Sequence, residues 1–321
     1  MKKSLFLLLF CFICTKVFSW GFYAHRQINY YAVFLLPPEM LVLYKPNIDF
    51  LVEHATDPDK RRYAVAAEGA RHYIDIDHYG AYPFGSLPRT WKEASTKFTE
   101  DSLQAHGIVP WWIQTMLFRL TEAFKQKNQS AILKLSAEIA HYIADAHVPL
   151  HTSSNYNGQL TNQQGIHGFW ESRIPELLAA KEWNFFIGKA EYISHPLQFT
   201  WRSILESAAA ADTVLLYERE LSRQFAPDKK FAFEERNGTV IRQYSADYAI
   251  AYNNRLNNMI ERRMRQSIAA VASFWYTAWV NAGQPDLLKL SNKNFSEEEL
   301  KEFDALNRQW HNEAIKGRDC H

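Results

Sequence analysis

The stretch SAILKLSAEIAHYIADA, Ser130 to Ala146, decides the class of this chain. It contains neither glycine nor proline, and its apolar residues recur at the three- and four-residue intervals of a helix rather than the alternation of a strand. Pro149 lies just beyond it and predicts its end. His141 and Asp145 are four apart on this helix, so they share a face and can grip one ion. Burying both unpaired among such apolar neighbours is costly, so the pair demands a partner. His151 follows the proline, which lets it approach from another direction.

Working outward, the same period returns. Pro37-Pro38-Glu39 opens a helix with prolines in its first turn. Pro110 to Lys127, Phe169 to Ala180 and Phe199 to Phe225 carry helical spacing. Ser245 to Ala282 reads as one long helix or two, closed by Gly283 and Pro285. Strand alternation is scarce, with short candidates only at Tyr73 to Tyr79 and Gly238 to Tyr244. The predicted class is all-α. No internal repeat or linker interrupts the chain before a charged tail, taken as 291–321.

Of 321 residues, 47% are hydrophobic, ample for a sizeable core. The 36 basic and 35 acidic residues nearly cancel, so any binding of a polyanion must be local. Residues 1–19 read as a signal peptide, with Lys2 and Lys3 before an apolar run from Leu5 to Cys14 and Ser19 at the cleavage position. That run is too short to span a membrane. The expected mature chain begins at Trp20 and is secreted or periplasmic. Cys11 and Cys14 fall inside the signal, which leaves Cys320 and no internal disulfide. Bound metal is another way to staple such a chain.

Three further patterns accompany the first. His167 and Glu171 repeat the four-residue spacing, Asp57 is followed by His72, and Trp20-Gly-Phe-Tyr-Ala-His25 opens the expected mature chain. Imidazole and carboxylate suit zinc. A free amine at Trp20, with its adjacent carbonyl, forms a five-membered chelate.

In order and spacing, Trp20, His25, Asp57, His72, His141, Asp145, His151, His167 and Glu171 resemble the three-zinc nucleases specific for single strands, the S-one/P-one type. Those share a fold with the bacterial zinc-dependent phospholipases C. The resemblance implies one compact multi-helix domain over 20–290 with a trinuclear zinc cleft. It implies three Zn2+: one held by Asp57, His72, His141 and Asp145; one by His151, His167 and Glu171; one by Trp20, His25 and a bridging Asp145. It implies hydrolysis of phosphodiester bonds in single-stranded DNA or RNA to 5′-nucleotides, with Asp57 orienting the water. The nuclease pattern carries an arginine three residues after that aspartate; counted from Asp57, the position is Lys60. Lys60 supplies charge without a bidentate fork. Asp75 occupies the place of a base-reading aspartate, and Tyr73 and Phe169 are candidates to line the cleft.

Some features lean to the phospholipase branch, and phospholipid head groups are the alternative substrate. Glu171 replaces the aspartate usual in the nucleases, and Ser172 follows where they tend to carry Asn. No stable protein partner is implied. A zinc-storing protein with no open site is the rival from another class. His147 reads as a structural group and His54 as a neighbour of the ligands, while His78, His106, His195, His311 and His321 read as unrelated to the metals. Phe274, Trp275 and Trp279 read as a core stripe. Asn128, Asn237 and Asn294 head Asn-x-Ser/Thr sites that matter only in a eukaryotic secretory pathway.

Overall fold

Gln129–Asp145 forms the helix expected around His141, with the Asn128 side chain accepting the Ala131 amide at its start. The computed structural model describes residues 21–236, 238–290 and 295–316. The signal sequence, Trp20, the three cysteines, His321 and the Asn237 and Asn294 sites lie outside the described residues. The molecule is mostly helical and forms a single domain, with a small two-stranded hairpin. Among the described residues no helix is long and apolar enough to cross a membrane.

The His141 helix is buried along most of its length. Val109–Lys125 and Met259–Asn281 pack against it. Two polar anchors fix its register among greasy neighbours: the Trp275 indole donates to the Ser136 carbonyl at 2.9 Å, and Tyr44 meets the Ser136 hydroxyl at 2.8 Å. Phe274, Trp275 and Trp279 are indeed core. Each large apolar side chain sealed this way contributes about 1.5–3 kcal/mol. At the helix's C-terminal end, Ser207 on Pro196–Gln224 donates to the Ala146 carbonyl at 2.7 Å, and Arg263 donates to the His147 carbonyl at 2.8 Å. Hydroxyl and cation thus satisfy the carbonyls that helix geometry leaves open.

Departures from the sequence reading have local causes. Ser245–Ala282 is two helices, Ala246–Arg255 and Met259–Asn281. Asn257 and Asn258 between them adopt φ of 50° and 54°, a left-handed conformation that asparagine tolerates. The strand near Tyr244 pairs with Phe231–Arg236. Tyr73 to Tyr79 is no strand and ends in a tight helical turn, Ile76–Tyr79. Its hydrogen bonds go one by one to different segments: Ile74 to the His151 carbonyl, Asp75 to that of His106. The tail forms a capped helix, Glu297–Asn312, that rests Phe303 on Phe50 and His54.

The segment carrying His72 is buttressed by the turn at Gly107. Ile108 donates to Ala70 and Val109 to the Tyr73 carbonyl. Gly107 has φ 88° and ψ 147°, territory nearly reserved for glycine, and a Cβ there would strike the Tyr73 carbonyl. Gly107→Ala is therefore expected to cost about 2–4 kcal/mol from strain and overpacking. Thermal denaturation should show Tm lower by roughly 5–10 °C. An unchanged Tm would mean that this turn yields freely.

Candidate metal centre

Six stretches of backbone converge below the surface. His25 comes from the first helix, Phe22–Val33, and Asp59 from the short helix Asp57–Arg61. His72 follows the turn Ala66–Arg71, and His141 and Asp145 occupy the last turn of their helix. His151 sits in the turn Pro149–Thr152. His167 and Glu171 stand on consecutive segments, Ile166–Gly168 and the wider-wound Phe169–Arg173. Such π-type turns recur at functional sites. Here the extra width keeps residues four apart on one face.

These side chains form three buried groups able to hold metal: His25, His141 and Asp145; Asp59, His72 and His141; and His151, His167 and Glu171. The first two share His141. Asp145 divides its oxygens between them: Oδ1 lies 3.5 Å from His25 Nε2, while Oδ2 lies 2.9 Å from His72 Nδ1 and 3.4 Å from His141 Nε2. A carboxylate facing two ways suits a bridge between two cations. In the third group, Glu171 lies 3.1 Å from His167 Nε2 and 3.4 Å from His151 Nε2.

The hydrogen bonds fix which ring nitrogens are open. His141 Nδ1 donates to the Ala55 carbonyl at 2.9 Å, His151 Nδ1 to His72 at 2.6 Å, and His167 Nδ1 to Tyr156 at 3.0 Å. Carbonyls only accept, so the protons sit on Nδ1 and the Nε2 lone pairs point inward. His151 and His167 then turn lone pairs towards each other across 3.2 Å, beside a carboxylate. Such an arrangement is repulsive unless a cation or a proton lies between. Glu171 Oε1 and Oε2, Asp145 Oδ1 and His25 Nε2 are all buried with no hydrogen-bond partner. Orphaned acceptors of this kind and this donor set fit a metal ion.

Burial and charge oppose one another at these groups. Burial raises Glu171 to about 7. Burial alone would lower His141, but Asp145 and Asp59 outweigh it and hold the imidazole up at about 9. Burial, with His141 beside it, depresses His25 to about 4. Burial opposes the charge on Asp145, yet the surrounding histidines hold it well below the carboxylate range. The buried carboxylates thus favour positive charge at His141, and a metal bound through Nε2 would compete with a proton there.

Two expected residues are elsewhere. Asp57 is not in any of the three groups. Its Oδ2 bonds His54 Nδ1 at 2.5 Å and its Oδ1 takes Lys60 Nζ at 3.0 Å, so its lone pairs serve its own turn. Lys60 is buried between Asp57 and the Trp310 ring. The place beside His72 and His141 belongs to Asp59, which the sequence reading missed. A signal for it was present: Arg62 lies three residues after Asp59, the spacing at which the nuclease pattern carries its arginine. Arg62 is buried with Nη1 3.9 Å from Asp59.

Of the cleft candidates, Phe169 is core, stacked on Tyr244 at 3.9 Å. Tyr73 is buried, with its hydroxyl near the Ala105 carbonyl. Asp75 is buried, 3.8 Å from His106, which stacks on His78. His147 donates to Ile143 within its own turn. Ser172 accepts the Gly21 amide at 2.9 Å, which brings the first described residue beside Glu171.

No protein-family model matches this chain, and no curated protein matches it. The structure defines a helical protein with three buried groups of metal-binding type.

Proposed function

We propose that this chain is an exported zinc-dependent hydrolase of phosphodiester bonds, with single-stranded nucleic acid as substrate. One observation carries the reading: two metal-type groups share His141 and have Asp145 facing both, with a third in the same domain. Three Zn2+ would be held by Asp59, His72, His141 and Asp145; by His151, His167 and Glu171; and by His25 and Asp145 together with the amine and carbonyl of Trp20 once the signal is removed. Bound zinc supplies charge to phosphoryl oxygens and acidifies water into the neutral range. The chain's own part is to orient those ions. Backbone carbonyls lock three imidazoles in the Nε2-open tautomer. Asp145 would offer one oxygen towards each of two ions. Arg62, rather than Lys60, is the cation assigned to the developing phosphoryl charge, because it adjoins Asp59. Asp75 and Tyr73 are assigned to substrate recognition.

Glutamate at position 171 favours a second reading, a phospholipase C, and one experiment separates the two. The mature chain from Trp20, loaded with zinc, is offered single-stranded RNA and phosphatidylcholine micelles, each with and without EDTA. Release of 5′-nucleotides, abolished by EDTA, is the expected result. Phosphocholine release alone would move the protein to the lipid branch. Bound zinc with hydrolysis of neither would overturn the enzyme reading for these substrates.

A further inference from the structure

His72 differs from its neighbours. His141, His151 and His167 each tie Nδ1 to a backbone carbonyl and aim Nε2 inward. His72 aims Nδ1 inward, 2.9 Å from Asp145 and 3.1 Å from His141 Nε2. Its Nε2 is buried with no hydrogen bond made. Facing that nitrogen, one helical turn back and 3.6 Å away, is Glu68 Oε1.

Glu68 is fully buried at the centre of a charge network. Arg71 reaches its Oε2 at 2.5 Å, Arg61 lies 3.6 Å away, and the Tyr142 hydroxyl donates to Oε1. Arg61 also pairs with Glu138. Two arginines balance two glutamates, so the network is neutral without a proton from His72. Arg71 and Arg61 set two guanidinium charges against the Glu68 carboxylate. Oε1 keeps one lone pair after accepting from Tyr142. The 3.6 Å gap exceeds a formed hydrogen bond. A small tilt of the imidazole closes it, and a cation on Nδ1 makes the Nε2 proton a stronger donor.

Resting on the zinc reading above, we propose that Glu68 is the positioning residue of the centre: it accepts the Nε2 proton of His72, fixes the tautomer opposite to that of His141, His151 and His167, and so directs Nδ1 to the metal. Outer carboxylates that orient ligating histidines recur at zinc sites, and losing one weakens metal binding about 10–100-fold. Arg61, Arg71 and Tyr142 act through Glu68 and touch no metal.

The direct test is long-range 1H–15N correlation of the histidine rings in zinc-loaded, 15N-labelled protein, with His72 assigned from the spectrum of His72→Gln. The expected pattern has the His72 proton on Nε2 and zinc on Nδ1, while His141, His151 and His167 bind through Nε2. In parallel, Glu68→Gln is titrated against a competing chelator and should bind its weakest zinc about 10–100-fold less tightly, with its helical circular dichroism retained. His72 bound through Nε2 would overturn the proposal even if the variant fails to fold. So would equal zinc affinity in a folded Glu68→Gln protein. Histidine resonances that ignore zinc altogether would instead sink the zinc reading on which it rests.

Discussion

Asp145→Asn is expected to strip the protein of more than one zinc and to remove most of its metal-dependent stability. The side chain keeps its shape and loses its charge at the point where two groups meet. Asp145 is fully buried, with Oδ1 towards His25 and Oδ2 towards His72 and His141. An amide presents a single neutral oxygen and turns an N–H towards one of the cations. A ligand present at about a thousand times its dissociation constant stabilises the fold by about 4 kcal/mol. Two weakened sites therefore remove several kcal/mol, and the rise in Tm on adding zinc should shrink by roughly 10 °C or more. Phosphodiesterase activity should fall by at least about a thousandfold, because removing even one preorganised charge from such a site costs about 10²–10³. The informative quantity is the zinc-induced shift in Tm, since the variant alters the metal-free protein as well. Three bound equivalents and an undiminished shift in Asp145→Asn would dispose of the bridging role.

The fold was legible where helical period and punctuation agree. The His141 helix reads as Ser130 to Ala146, ending before the proline, and the structure moves its ends by a residue. The segment around Tyr73 deceived because its alternation serves burial on both sides of an irregular bend, and no neighbouring strand pairs with it. The tail's helix was hidden because only Phe303 is buried among its charged residues, too little to produce a stripe. At the site, pairs four apart on a helix were readable, since helical geometry places them together whatever the rest of the chain does. Asp57 and Asp59 were not separable in that way. They are two residues apart in a helix of five residues, so they face different directions. Which one turns inward depends on how Asp57–Arg61 is docked, a property of packing rather than spacing. Glu68 was invisible for a related reason: its setting depends on the Tyr142 hydroxyl and on Glu138, which shares Arg61 with it, both far away in sequence.

That ambiguity makes the paired substitutions Asp59→Asn and Asp57→Asn the sharpest discrimination available. Asp59 Oδ1 lies 3.5 Å from His141 Nε2 and 3.8 Å from His72 Nδ1, so its charge belongs to the group those imidazoles form. Asp59→Asn is expected to lose about one equivalent of zinc and at least about a hundredfold in rate. Asp57 holds no such position. Burial opposes its charge, but His54 and Lys60 prevail and keep it below the usual carboxylate range. Removing that charge leaves Lys60 buried without its carboxylate, and breaking a buried pair from one side costs about 3–5 kcal/mol. Asp57→Asn should therefore lower Tm, keep all three equivalents of zinc and stay within about tenfold of the parent rate below its melting range. The double variant Asp57→Asn with Lys60→Met should recover part of the lost stability, because the stranded ammonium is gone and an apolar side chain of similar length takes its buried place. Zinc content by elemental analysis and Tm by calorimetry read the two effects separately. Loss of zinc from Asp57→Asn with zinc retained in Asp59→Asn would reverse the assignment and return the ligand role to Asp57.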